Sequence, residues 1–472
     1  MTTMECGSYA EALRSLESGE ESIIVQTNHR GNENDFKLLL EKLVNCDTCS
    51  SLDFSGNYIG EGTALLCDVL KRNSKLSSLN LLNNSIGPNQ ARNIAELLKL
   101  NDSLLELRLG QNPTETGAVA IADALKVNQS LRILDLFDNE FESGVIKRMA
   151  DALKVNSSLT DLSLSCNSVE DIGARDLAEA LTVNSSLLFL NCSCCAIEDE
   201  GIIEISKSMI ANTGLKKLEL NENQFGDEAA RELGRALKVN STLVELSLWG
   251  CRIGDPGAIA IANGLEHNTS LQNLSLSLNC FGLNGASEIA QAIAKNTIMR
   301  VLDISLNEVG PRGAKEIAKA LKVNTSLLSL KFSNCAISDK GLREVANSLK
   351  FNTSLQSMRL NNNGFGPKSG KVIGLLLQEN STLTSLDIGG NTIKDLGVVP
   401  IMAALKNNTT LKKIGLSLCG IRQKGGKNIA IAIEENLSLS SLDLSLNDIN
   451  PELLHLIKEA LQDDISNSEP LP

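Results

Sequence analysis

The sequence predicts an α/β solenoid, a horseshoe with a parallel sheet lining its concave side and helices covering its convex side. Three observations predict it. A register of the form L-x-x-L-x-L-x-x-N, with Cys as the alternative at the ninth position, recurs along most of the chain. Each register is followed by a segment whose apolar residues fall at helical spacing. Aromatic residues make up only 3% of the chain, so aliphatic side chains stacked in layers must build the core.

The first element, residues 1–48, reads as a cap. Ser22-Ile23-Ile24-Val25-Gln26-Thr27-Asn28 reproduces the second half of the register, with Glu20 where the first Leu belongs, and a helix around Phe36–Leu40 completes it. Fifteen repeats then occupy 49–462, their length alternating between 27 and 28 at first and afterwards constant. Their ninth position falls at Asn57, Asn84, Asn112, Asn139 and Asn167, and from Asn167 to Asn447 it advances in ten equal steps without slippage. Pro451-Glu452-Leu453-Leu454 opens a last helix, and residues 463–472 read as a disordered tail.

Within one unit, Leu330 and Phe332 point to the same side of a short strand while Lys331 points away. Ala314, Ile317, Ala318 and Leu321 share one face of the helix before that strand, with Lys315, Glu316, Lys319 and Lys322 between them. A single unit cannot bury its own apolar face, so the units must stack. Asn or Cys at the ninth position is expected to satisfy backbone groups where the chain turns out of the strand. Cys takes that role at Cys195, Cys251, Cys335 and Cys419.

The strand Leu327-Leu328-Ser329-Leu330-Lys331-Phe332-Ser333-Asn334-Cys335 and the helix 311–324 resemble the leucine-rich repeat of the ribonuclease-inhibitor subtype, which also forms the repeat domains of NACHT-containing immune receptors. The resemblance covers nearly the whole chain. It implies a leucine-rich repeat horseshoe that acts by binding another protein on its concave face, with no catalysis and no cofactor.

Gly364-Phe365-Gly366-Pro367-Lys368-Ser369-Gly370-Lys371 imitates a phosphate-cradling loop, which requires two glycines five apart, then Lys, then Ser or Thr. Phe365 stands five before Gly370, and Val372 follows Lys371, so spacing and metal hydroxyl are both wrong. The string aligns with Gly310-Pro311-Arg312-Gly313-Ala314-Lys315 one unit pair earlier, and reads as a turn into a convex helix, with Pro starting the helix and a small residue at Gly370 permitting close approach.

Asn-x-Ser/Thr recurs, but it belongs to an Asn that stands three before the first strand Leu in fourteen consecutive units, from Asn73 to Asn436. These include Asn212 and Asn296, which form no glycosylation signal, so a structural role at the helix end is expected, through the left-handed conformation that Asn tolerates. The three histidines, His29, His267 and His455, lie at least six units apart and assemble neither a catalytic triad nor a metal site. Cys194 faces outward beside Cys166 of the previous unit; the pair is expected to be reduced and free of metal.

Lys plus Arg number 44 against 57 Asp plus Glu, a formal net charge of −13, which argues against nucleic acid and anionic membranes as partners. The N-terminal residues show no basic region followed by an apolar run, and no apolar span approaches twenty residues. Together with 12 dispersed Cys, this places the chain in the cytoplasm, or alternatively the nucleus, and not outside the cell. The residues expected to hold a protein partner are Arg108, Asp135, Glu219, Lys331 and Arg359 at the fifth position, and Phe137 and the only Trp, Trp249, at the seventh. No small-molecule substrate is evident. The alternatives are a GTPase-activating protein resembling the activator of Ran, whose strongly acidic C-terminal segment has no match at 462–469, and a structural component of a ciliary or cytoskeletal assembly.

Overall fold

A computed structural model describes residues 3–27 and 32–461. Asn28, His29 and the expected tail lie outside the described residues. The chain divides into two compact units, Met1–Phe225 and Gly226–Pro472.

The first unit carries β1 (Thr3–Cys6), β2 (Ser22–Val25), β3 (Ser51–Asp53), β4 (Ser78–Asn80), β5 (Glu106–Arg108), β6 (Ile133–Asp135), β7 (Asp161–Ser163), β8 (Phe189–Asn191) and β9 (Lys217–Glu219). Each strand pairs in parallel with the next, so that Leu107, Leu134, Leu162 and Leu190 stand side by side. The second unit continues the numbering with β10 (Glu245–Ser247), β11 (Asn273–Ser275), β12 (Val301–Asp303), β13 (Ser329–Lys331), β14 (Ser357–Arg359), β15 (Ser385–Asp387), β16 (Lys413–Gly415) and β17 (Ser441–Asp443). These are parallel as well. Every described strand is followed by a helix, as the alternation of registers and helical segments predicts.

Strand centres such as Leu330 and Leu302 are fully buried, and Ala314, Ile317 and Leu321 close over them from the helix Gly310–Leu321. Each fully buried aliphatic side chain contributes about 1.5–3 kcal/mol. In most strands the residues flanking the centre are half-buried, with Arg108 exposed and Gly415 buried, and they form the open face of the sheet, the face expected to be concave.

Two ladders of buried asparagine bind neighbouring repeats. In the first, Asn363 Nδ2 donates to the carbonyls of Phe332 (2.7 Å) and Leu360 (3.1 Å), while its Oδ1 accepts from the N–H groups of Cys335 (3.0 Å) and Ile337 (3.4 Å). The Cys units retain only the donor half, as when Cys335 Sγ reaches the carbonyl of Ile304 at 3.2 Å. In the second ladder Asn324 Nδ2 donates to the carbonyls of Ile293 (2.6 Å) and Asn296 (3.3 Å), and its Oδ1 accepts from Leu327 N–H at 2.8 Å.

This second ladder corrects the expected mechanism. Asn212, Asn240 and Asn296 close their helices in extended backbone, with φ of −70°, −63° and −72°, and not in the left-handed region. Their amides are held in place by repeat-to-repeat hydrogen bonds, and all fourteen asparagines from Asn73 to Asn436 are buried, which removes them from glycosylation in the folded chain.

The N-terminal region also differs from expectation, because β1 and the helix Tyr9–Glu17 add a complete strand–helix unit ahead of β2. Tyr9, Phe36 and Phe54 cluster at its base, with ring centroids 5.0–6.2 Å apart. Aromatic bulk takes over at this end from the aliphatic layers.

Candidate interaction surface on the open face of the sheet

Each strand offers its third and fifth register positions, two residues apart, to the open face, and the seventh follows on the same side. In the first unit Arg108 and Asp135 are lateral partners on β5 and β6. Arg108 does not pair with Asp135; its Nε and Nη2 reach Glu106 on its own strand at 2.7 and 2.6 Å. Phe137 is half-buried and lies across Gly110, where a β-carbon would collide with its ring. Glycine at that position lets the aromatic ring lie flat on the adjacent strand.

A depression of about 360 Å³ opens between these strands, lined by Arg108, Ile133, Asp135, Asp161, Phe189 and Asn191. Ile133 and Phe189 supply apolar surface. Asp135 accepts a hydrogen bond from the Phe137 N–H (3.1 Å) and Asp161 from the Thr160 hydroxyl (2.6 Å). Neither carboxylate has an ion-pair partner among the described residues. Beyond the depression, Lys217 Nζ stands 4.8 Å from the Phe189 ring centroid and 2.9 Å from Glu219, so Glu219 is engaged within its own strand. Sequence reasoning found Arg108 and Asp135 but missed Ile133, Asp161, Phe189 and Lys217, all at the third position. The period of two along a strand was the signal that finds them.

Trp249, Lys331 and Arg359 belong to the second unit. Trp249 is half-buried at the seventh position after β10. Lys331 and Arg359 are cross-strand neighbours on β13 and β14.

The remaining singled-out residues have structural occupations. Among the described residues all cysteines are free thiols. Cys194 is pushed up to about 12 by burial and by the charges of Cys166 and Glu222 beside it, so it is a neutral thiol at neutral pH. No group of three or more His, Cys, Asp or Glu side chains converges on a common point among the described residues. His267 makes a 3.2 Å hydrogen bond between Nδ1 and the carbonyl of Asn263 at the end of its helix.

The phosphate-loop look-alike is a stacking device. Asp339 of the previous repeat accepts from Gly366 N–H (2.8 Å) and from the Ser369 hydroxyl (2.5 Å), and a β-carbon at Gly370 would strike the carbonyl oxygen of Gly397. Its helix runs Ser369–Glu379, so Pro367 lies in the turn before it and does not start it, whereas Pro311 does stand in the first turn of Gly310–Leu321. Gly366 N–H and the Ser369 hydroxyl, donors such a loop would turn toward phosphate, are already occupied by a carboxylate.

A strand–helix repeat with a Leu-lined interior and a polar open face defines a repeat protein that presents a surface. The leucine-rich repeat family model matches residues 127–144, 155–178, 183–206, 211–234, 239–262, 267–290, 295–318, 323–346, 379–402, 407–430 and 435–452. This is more than half of the chain, which therefore belongs to the leucine-rich repeat family. No curated protein matches it. Among solved structures it is similar to a chain of the Rad7 and Elc1 complex in yeast, at 15% identity over 71% of this chain and 80% of that one, with a TM-score of 0.46. It is similar also to the internalin InlF from Listeria monocytogenes, at 20% identity over 71% and 81%, with a TM-score of 0.45. At these values neither bears on function. No described helix is long and apolar enough to cross a membrane.

Proposed function

We propose that the chain is a non-enzymatic interaction module of the ribonuclease-inhibitor type, acting as a scaffold or adaptor that takes a protein partner on the open face of its sheet. The constant repeat length and the helix in every repeat support that subtype and its kinship with the repeats of NACHT-containing receptors. Free thiols support a reducing compartment such as the cytoplasm.

One observation carries the reading: the first unit's depression combines apolar area at Ile133 and Phe189 with carboxylates at Asp135 and Asp161 that have no counter-ion among the described residues. Apolar anchors within a polar rim are how protein interfaces concentrate their energy. Arg108, Phe137 and Glu219 border that centre, and Trp249 is the corresponding anchor of the second unit.

The test is to purify the native partner with the wild-type chain and measure its affinity for variants. Phe189→Ala and Trp249→Ala are expected to weaken it by at least about 1 kcal/mol each. Lys319→Ala, on the helical side, is expected to leave it unchanged. If Lys319→Ala is the damaging substitution and the other two are silent, the partner sits on the helices and the reading falls.

A further inference from the structure

On the open face of the second unit, Lys331 and Arg359 stand next to each other on β13 and β14, whose strands are about 4.8 Å apart. Carboxylates flank them on both sides, Asp303 on β12 and Asp387 on β15. Even so, neither cation forms an ion pair or hydrogen bond among the described residues, and Arg359 Nε is buried without a partner.

The cause lies in where the two acids are drawn. Asp387 accepts from Gly389 N–H at 3.1 Å and leans over Gly415, where a β-carbon would collide with its carboxylate. Glycine at the next strand gives Asp387 room to turn away from Arg359. Asp303 is held by Ser305 N–H at 3.0 Å. Further donors surround the cations. Ser329 and Ser357, two residues before them on the same face, have hydroxyls without partners among the described residues. Asn361, two residues after Arg359, accepts from the Ser333 hydroxyl at 3.1 Å through Oδ1, and its Nδ2 has no hydrogen-bond partner among the described residues.

We propose that Lys331 and Arg359, with Ser329, Ser357 and Asn361, form a subsite for the phosphate of a phosphorylated serine or threonine in an extended segment of the protein partner. The proposal rests on the open-face reading above. Asp303 and Asp387 balance the charge from one strand away but are held by main-chain N–H groups, so the N–H donors of Lys331 and Arg359 stay unbonded, and a phosphate monoester brings them three acceptor oxygens. The planar Arg fork and the Lys point charge serve those oxygens in complementary ways.

The test uses the full chain and a degenerate peptide pool with a fixed central phosphoserine, against matched pools with serine and with glutamate, read by fluorescence anisotropy. The phosphoserine pool is expected to bind at least tenfold tighter than the serine pool. Arg359→Ala and Lys331→Ala should each abolish that preference, Arg359→Lys should retain part of it, and Lys319→Ala all of it. Inorganic phosphate should compete. Thermal unfolding checks each variant, and should Arg359→Ala fail to fold, Lys331→Ala decides. Equal binding of the phosphoserine and serine pools overturns the proposal, as does equal binding of phosphoserine and glutamate, or a preference that survives both substitutions. Absence of the preference alongside a partner still sensitive to Phe189→Ala sinks the phosphate subsite and leaves the open-face reading standing.

Discussion

Asn363 makes four hydrogen bonds to main-chain groups of its own and the preceding repeat, two as donor and two as acceptor. Asn363→Ala orphans buried groups on both sides, and the expected loss is about 2–4 kcal/mol of unfolding free energy, measured in urea. Asn363→Cys keeps the donor and should lose less, because Cys335 already serves that way. The thiols add a pH dependence. Burial pushes Cys335 and Cys419 from 9.0 up to about 12, so the folded chain holds these protons more tightly than the unfolded one. Their contribution is intact below pH 9 and lost as pH rises toward 12. A chain with Cys335→Asn and Cys419→Asn should show a flatter fall in urea midpoint between pH 9 and 11 than wild type. A parallel fall in both would show that the thiols carry none of it.

At the scale of the helix, several N-termini are capped from outside. Asp227 accepts from Gly254 and Gly257, Asp255 from Gly282 and Gly285, and Asp395 from Arg422 and Gly425, each N–H belonging to the next repeat. The helices concerned have no side-chain cap of their own. Asp255→Ala is expected to cost about 1 kcal/mol, as loss of a conventional cap does, although no contact within its own helix is removed. Asp255→Asn, which keeps the acceptor oxygen, should recover most of it, and an unchanged urea midpoint for Asp255→Ala would refute the capping role.

Much of this level was legible in the residues. The strands follow from Leu spacing, the helices from Ala and Leu at intervals of three and four, and the ninth-position role from the chemistry of a turn. Other features were not. Thr3-Met4-Glu5-Cys6 carries no Leu and becomes a strand because β2 offers it a parallel edge. The capping aspartates look like ordinary surface charges within a single repeat, since their partners lie 27 and 30 residues downstream. Arg359 lacks a counter-ion because of Gly415, two strands away, a relation that no reading of one repeat contains.

For the molecule as a whole, the repeat makes stability a sum over neighbours. Leu330→Asp buries a carboxylate in the strand layer, and a loss of several kcal/mol is expected. Hydrogen exchange should show the damage greatest in β12 to β14 and weaker with distance along the second unit. Uniform loss of protection across all described strands would mean that the repeats are not energetically local. The two compact units give this test a built-in comparison, because strands of the first unit far from the substitution should keep their protection.

The unvarying step from Asn167 to Asn447 makes the repeats interchangeable parts. Both asparagine ladders and the capping aspartates connect atoms at sequence separations fixed by that step, so excising one whole period brings the same chemical groups back into phase. Joining Asn307 to Ala336 returns an asparagine to the ninth position before an unchanged Ile337. A cut one residue shorter or longer alters only the separations that span the junction, a change the 27-residue steps at Asn57–Asn84 and Asn112–Asn139 already accommodate. Length in such a chain changes most simply by whole repeats, which a duplication within the encoding gene would supply.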